Sequence, residues 1–207
     1  MFNKVKETLP KKFKNYKINL IKGGASKRKY YRLKEDQQNI ILMDSSEEPE
    51  QFYNFLKVHK IISKINISIP QIYEVDFDKK NILLEDFGDL RFDKILNRFK
   101  LKDLLSIAVE SLIEIKKEVR FDSSSDLPIY NYNIFKSEIS EFVDFFYPYF
   151  QNKKMTTEMK EEFYNTWKLY FESMESNFTS FVHKDYNLNN LIYLPNKNKH
   201  YKCGIID

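Results

Sequence analysis

The run His183-Lys184-Asp185-Tyr186-Asn187-Leu188-Asn189-Asn190, a short apolar stretch, a polar turn, and then Cys203-Gly204-Ile205-Ile206-Asp207 hold the most chemically suggestive residues of the chain. An Asp stands two places after a His, an Asn five places after that Asp, and a second Asp closes the next apolar run. Phosphoryl transfer from a nucleotide uses this inventory: one carboxylate accepts the proton of the attacking hydroxyl, while an Asn and another Asp hold magnesium against the phosphates. Asp185 is the candidate catalytic base. Mg2+ takes hard oxygen donors, commonly one or two carboxylates with phosphates and water, so Asn190 and Asp207 suit it as metal ligands. Taken singly, a His-x-Asp loop, an Asn-rich turn and a strand ending in Asp are common. Their order and spacing together carry the reading.

The flanking residues supply a way to bring these groups together. Leu191 to Leu194 and Tyr201 to Ile206 read as two short strands around Pro195-Asn196-Lys197-Asn198-Lys199-His200, a turn rich in Pro, Asn and Lys. A hairpin returns the chain to its starting end, so Asn190 and Asp207, seventeen apart in sequence, are expected side by side.

Upstream, the first half reads as strands with one helix. Tyr16 to Ile21 alternates and runs into Gly23-Gly24-Ala25-Ser26; Lys29 to Leu33 and Ile40 to Met43 are strand-like around a polar turn. Phe52, Phe55, Leu56, His59, Ile62 and Ile65 fall at helical spacing after an acidic start at Glu47-Glu48-Pro49-Glu50. Gln71 to Asp76 and Asn81 to Leu84 read as two more strands, the second ending in Glu85-Asp86-Phe87-Gly88-Asp89. The second half is helical, with apolar stripes at Leu101 to Val119, Phe135 to Tyr149 and Met159 to Phe178, separated by a loop at 122–128. The aromatic stripes are expected to be core.

Composition narrows the class. At 207 residues with 42% apolar and 16% aromatic content the chain can bury a real core. No run of about twenty apolar residues marks a membrane span, and Met1 to Lys6 lacks the apolar heart of a signal peptide. The one cysteine, Cys203, excludes a disulfide framework and a Cys-based metal site. These features suggest a cytoplasmic protein. The net charge of +4 concentrates before Lys34, where Glu7 is the only acid. Lysine-rich, glycine-poor composition accounts for it without a nucleic-acid partner, so a solvated face is the expected reading.

Strands with one helix, then helices with a catalytic hairpin, is the plan of an α+β, bilobal protein-kinase-like fold. The chain resembles the aminoglycoside phosphotransferase superfamily, and within it the cell-wall-sugar branch, the anomeric N-acetylmuramate/N-acetylglucosamine kinases. The stretches that carry this are Gly23 to Ser26 with Arg28 to Leu33, Ile41-Leu42-Met43-Asp44, Leu83 to Asp89, and Phe181 to Asn190. The resemblance implies a small antiparallel-sheet N-lobe over 1–84 and a mostly helical, incomplete C-lobe over 85–207. It implies ATP and Mg2+ as cofactors and a small sugar as acceptor, with other small alcohols, or a catalytically inactive nucleotide-binding module, as alternatives. Gly23, Gly24 and Ser26 would turn over the phosphates, where backbone N–H groups approach anionic oxygens. Glu85 and Phe87 would belong to the interlobe hinge that holds adenine, and His183 would buttress the catalytic loop.

Three departures stand out. Met43-Asp44 occupies the strand position where kinases place the phosphate-gripping lysine, leaving Arg28, Lys29 or Arg32 to supply that charge. Arg32 is the candidate for the cofactor site; alternation sets Arg28 and Arg32 on one face and Lys29 on the other. Asn187 stands where relatives often carry His. The chain ends at Asp207, where relatives continue through further helices, so it is expected to be a poor enzyme by itself and to expose apolar surface.

Overall fold

Alternating side chains decide the first layer of the structure, a computed structural model that describes residues 2–21, 26–35, 38–119, 127–174 and 180–207. The expected runs become strands β1 (Lys17–Ile21), β2 (Lys29–Glu35), β3 (Gln38–Asp44), β4 (Ile72–Asp76) and β5 (Asn81–Glu85). They form one antiparallel sheet in the order β1-β2-β3-β5-β4. Preceding it is helix α1 (Phe2–Thr8), and helix α2 (Pro49–Ile62) connects β3 to β4. Each expected strand and helix of this half is found within a few residues of its expected bounds.

Period-two alternation gives the sheet two apolar faces. Tyr31, Leu33, Ile40, Leu42 and Leu83 on one face pack with Val5, Leu9, Phe13 and Tyr16. Met43, Ile82 and Leu84 on the other pack with Phe52 of α2. The basic N-terminal segment is therefore amphipathic. Its apolar residues cover the sheet, while Lys6, Lys11, Lys12 and Lys14 are exposed, as expected of a solvated face. The short helix α1 itself was not legible among the lysines.

A further core joins Ile62, Phe92 and Ile95 to Leu104, Ala108 and Ile115 of α3 (Leu101–Glu118) and to Leu191, Cys203 and Ile205. The last three belong to the expected hairpin, formed by β6 (Leu191–Tyr193) and β7 (Cys203–Ile205) with Leu191 opposite Ile205. Hydroxyls dock it: Ser111 Oγ donates to His200 O (2.9 Å), Ser68 Oγ to Tyr201 O (2.8 Å) and Tyr186 OH to Ala108 O (2.8 Å). Each such bond contributes on the order of 1 kcal/mol and costs more if half of it is removed. Backbone bonds from Tyr193 N to Leu90 O and from Ile205 N to Ser68 O hold both hairpin strands to the segments around α2 and β5.

The chain divides into two compact units, one of Met1–Val119 with Phe181–Asp207 and one of Arg120–Ser180. The first contains everything above. In the second, α4 (Tyr132–Glu141) continues through a π-turn at Phe142–Phe146 into α5 (Tyr147–Gln151), and α6 (Thr157–Met174) packs on it. Phe135 meets Trp167 and Phe171 at ring-centroid distances of 5.7 and 5.1 Å, and Phe142 stacks on Phe163 at 5.3 Å. Here the expectation of a fully buried aromatic core is corrected. Among the described residues of this unit only Val143 and Phe171 are buried, whereas Phe146, Tyr149 and Tyr170 are more than half exposed. Two helices share one line of contact, so the outer part of each stripe has no layer over it. Most of the expected 122–128 loop, and Phe178, lie outside the described residues. No helix among the described residues is long and apolar enough to cross a membrane.

One contact in this fold lends itself to a direct check. A Cβ on Gly204 would meet Phe87 Cδ2 at 2.6 Å and Leu194 Cδ1 at 3.2 Å, so the β7 backbone and the Phe87 ring are mutually fitted. We expect Gly204→Ala to destabilise the protein by about 1–3 kcal/mol through overpacking. Placing it in a Phe87→Ala background should shrink that cost by more than half. Denaturant melts of the four proteins measure it, and an equal cost in both backgrounds would clear Phe87 of the clash.

Candidate active site

The loop from His183 to Asn190 is shaped by tight backbone bonds. Asp185 N donates to His183 O (2.8 Å) and Asn187 N to Asp185 O (3.0 Å), with Lys184 between them at a left-handed φ of 67°. A non-glycine residue there costs of order 1 kcal/mol or more and persists only where its surroundings hold it. Asn187 caps the following 3₁₀ turn, Leu188–Asn190, by accepting from Asn189 N at 2.9 Å. Its amide donates to Asp185 Oδ1 at 2.5 Å, and Asn190 Nδ2 donates to Asp185 Oδ2 at 2.8 Å and Asp185 O at 3.1 Å. Both carboxylate oxygens are thus held by side-chain amides, which fixes the plane of an otherwise exposed group.

His183 packs edge-on against Tyr186, ring centroids 5.4 Å apart, and its buried Nδ1 has no hydrogen-bond partner among the described residues. Burial pushes its pKa down, opposed by the charges of Asp207 and Asp185, so a neutral imidazole is favoured. Its placement is that of a packed support for the loop.

At the other end of the hairpin, Ile206 N donates to Asn190 O at 3.0 Å, which sets Asp207 beside Asn190 as the register anticipated. Because Asn190 spends its NH2 group on Asp185, its Oδ1, the atom a hard cation requires, makes no hydrogen bond among the described residues. An amide oxygen and one carboxylate form a donor pair suited to Mg2+ that also binds phosphates and water. Among the described residues no cluster of three or more His, Cys, Asp or Glu side chains forms a protein-only metal cage.

Asp207 is also half of a two-pronged ion pair. Arg28 Nη1 reaches its Oδ1 at 2.7 Å and Nη2 its Oδ2 at 2.8 Å, with the side chains 14% and 25% exposed. Arg28 Nε and backbone N also contact Ser26 Oγ, at 3.2 and 3.1 Å. Ser26 in turn donates to Glu48, the residue preceding α2, which also accepts from Lys27 N. The Tyr30 hydroxyl is buried beside Arg28 and Asp207; burial, with the Asp207 charge adding to it, raises its pKa well above that of a free phenol.

The other two basic candidates are engaged elsewhere. Lys29 pairs with Glu47. Arg32 grips the segment after β5: Nε lies 2.6 Å from Asp86 Oδ2, Nη2 donates to Asp86 Oδ1 (2.9 Å) and Gly88 O (3.1 Å), and Nη1 meets Asp89. The structure therefore brings Ser26, Arg28 and Asp207 into one set of contacts and Asp185 and Asn190 into another, joined through the Ile206 N–Asn190 O bond, and ties Arg32 to the Asp86–Asp89 stretch. Glu85 ends β5 and is bonded to Gln71, and Phe87 abuts Gly204. Gly23 and Gly24 lie outside the described residues. Two functional contacts escaped the sequence reading, the Asn187 amide on Asp185 and the Arg28–Asp207 pair. The first had a signal, since an Asn two places on suits a local side-chain bond. The second spans 179 residues and had none.

No family model matches the chain. The structure covers all of this chain and 70% of APH(2″)-IIa in its streptomycin–ATP ternary complex, with a TM-score of 0.64 at 15% identity. It likewise covers all of this chain and 70% of ADP-bound aminoglycoside phosphotransferase APH(2″)-Ib, at a TM-score of 0.58 and 17% identity. The chain thus has the protein-kinase-like fold of the aminoglycoside phosphotransferases. In sequence it is similar to the N-acetylmuramate/N-acetylglucosamine kinase of Pseudomonas aeruginosa, 26% identical over 172 residues. It is 22% identical over 168 residues to the kinase of the same name from Pseudomonas putida. Each alignment takes in 81% of this chain and 49% of the relative, so the chain spans about half the length of the curated relatives it matches. The resemblance read from the motifs, to the superfamily and to its cell-wall-sugar branch, is met by these relatives and structural neighbours.

Asp86 is 3% exposed and Arg32 13%, so removing either partner strands a buried charge. We expect Arg32→Met to destabilise the protein by about 3 kcal/mol. A loss under about 0.5 kcal/mol, the range of exposed pairs, in chemical denaturation would show that the pair does not hold the segment after β5.

Proposed function

We propose that the protein is an ATP-dependent phosphotransferase whose acceptor is a hydroxyl of a small sugar, with the anomeric hydroxyl of N-acetylmuramate or N-acetylglucosamine as the favoured acceptor. One arrangement carries this reading: the Asn190 side chain donates to Asp185 and its backbone carbonyl accepts from Ile206 N, so Asp207 follows at the same open end of the β6–β7 hairpin. Its support in kind comes from relatives named as amino-sugar kinases. The fit with structures named as ATP and ADP complexes agrees with a nucleotide donor. A cytoplasmic setting suits both substrates.

In this reading the Asp185 carboxylate, kept in plane by the amides of Asn187 and Asn190, orients the acceptor hydroxyl and takes its proton as that oxygen bonds to the γ-phosphorus and the bond from phosphorus to the departing ADP breaks. Asn190 and Asp207 would hold Mg2+, which would screen the phosphate charge. Ser26, fixed by Glu48, would stand beside the phosphates. Backbone groups of Glu85 to Phe87 hold the adenine, and Arg32 acts there by bracing that stretch rather than by touching phosphate. Residues 1–84 and 85–207 are then the two lobes. Met43 in place of a strand lysine favours the inactive-module reading, and the aminoglycoside phosphotransferase neighbours favour a different alcohol, so the assay must distinguish all three.

Labelled phosphate transfer from ATP to a sugar panel, using the full-length gene product, does so. N-acetylmuramate or N-acetylglucosamine should yield a sugar 1-phosphate, and the 1-O-methyl glycoside, whose anomeric oxygen is blocked, should be inert. Equal labelling of the methylated sugar overturns the acceptor assignment, and no transfer to any alcohol overturns the enzyme. Asp185→Asn should lower turnover by about a hundred- to ten-thousand-fold while ATP binding stays within a few-fold. A loss below about tenfold would remove Asp185 from the role of base.

A further inference from the structure

A kinase-like site needs a cation on the phosphates, and in protein kinases a β3 lysine paired with an acid of the following helix provides it. This chain has neither half. Met43 of β3 is fully buried, packed with Phe52, Ile82 and Leu84, and α2 turns Phe52, Phe55 and Leu56 towards it. The position is an apolar plug. A lysine there would sit desolvated with no carboxylate to meet it.

Of the three candidates Arg28, Lys29 and Arg32, two are consumed structurally, Lys29 by Glu47 and Arg32 by Asp86, Asp89 and Gly88 O. The third is Arg28. Its guanidinium adjoins both Ser26, at the end of the glycine-containing turn, and Asp207, the candidate metal ligand. A guanidinium has five N–H donors. Among the described residues Arg28 directs two at Asp207 and one at Ser26, with the Tyr30 hydroxyl alongside, which leaves donors for a further anion. Its backbone is fixed as well, since Arg28 N donates to Ser26 Oγ, itself bonded to Glu48. The group is thus held in place, largely buried and still short of acceptors.

Resting on the ATP-dependent reading above, we propose that Arg28 is the phosphate-binding cation of this site. It takes over the task of the absent strand lysine and bridges Asp207 to the nucleotide's phosphates. A planar fork suits this better than a lysine, because it can serve a carboxylate and a phosphate oxygen at once. The charge sits at the end of the sheet instead of in its middle, which lets the middle be apolar.

The test compares affinities for ATP and for adenosine, with Mg2+ and with EDTA, in wild-type protein and Arg28→Met. Equilibrium binding is read by calorimetry, so turnover is not needed. A charge-assisted contact to phosphate predicts that Arg28→Met weakens ATP by about ten- to a hundredfold even in EDTA, while adenosine stays within about twofold. If the loss appears only with Mg2+, Arg28 acts solely by positioning Asp207 and the proposal fails. Unchanged ATP affinity in both conditions also overturns it. Wild-type protein that binds neither ATP nor adenosine would instead defeat the ATP reading itself. Should Arg28→Met misfold, Arg28→Gln, which can still donate to Asp207 but carries no charge, bears the same expectation and the same overturning results.

Discussion

The pairing of Leu191 with Ile205 is the constraint on which the site rests. β6 and β7 are only three residues each, too short to hold register alone, and a slip of one residue would turn every side chain to the opposite face. Register is imposed from outside. Leu191, Cys203 and Ile205 are buried against α3, hydroxyls of Ser68, Ser111 and Tyr186 tie the hairpin and its flanks to fixed carbonyls, and Gly204 admits the Phe87 ring. With that register set, Asn190 and Asp207 can only be neighbours. The His183–Asn190 loop inherits its position from the hairpin, because Asn190 holds Asp185 with its side chain and the β7 exit with its backbone.

Charge is arranged around the same framework under a rule of desolvation. Isolated charges are costly away from water, and Arg28 and Arg32, 14% and 13% exposed, both have a carboxylate, Arg28 in Asp207 and Arg32 in Asp86. The two pairs are chemically alike and functionally unlike. Arg32 is surrounded by acceptors on several sides and closes a structural clamp between β2 and the stretch after β5. Arg28 retains free donors next to the residues proposed to meet phosphate. Spare hydrogen-bonding capacity, more than charge, separates the two roles.

Much of this was legible in the sequence, for identifiable reasons. Strands with period-two alternation and the helix at Pro49–Ile62 announce themselves, because an apolar face must be buried somewhere. The Asn190–Asp207 juxtaposition was readable because a hairpin is a local structure whose geometry follows from its turn. Helix α1 was not, since its lysines masked a Val5, Leu9, Phe13 spacing that becomes apolar contact only against the sheet. The aromatic stripes of α4 to α6 were readable as amphipathic and as a source of exposed apolar surface, but not residue by residue, because a stripe shows that a face is apolar and says nothing of what covers it. Which of Arg28, Lys29 and Arg32 faces the site was undetermined, since their acidic partners lie between 18 and 179 residues away.

The apolar plug at Met43 and the Arg28–Asp207 pair are two sides of one solution. A charge in the middle of β3 would need a dedicated acid on α2, and the pair would have to be desolvated in a core whose other buried members are Phe52, Ile82 and Leu84. Such a buried pair is often no more stable than well-packed hydrophobic residues of similar volume. Filling the position with methionine favours the sheet, but it leaves the phosphate side without a cation. Moving the charge to the residue before β2 resolves the conflict, because that end of the strand already faces a carboxylate. The consequence is mechanical as well as electrostatic. A guanidinium bonded to Ser26 on one side and Asp207 on the other joins the start of β2 to the end of β7 directly, so the two halves of the proposed nucleotide site are positioned by a single side chain.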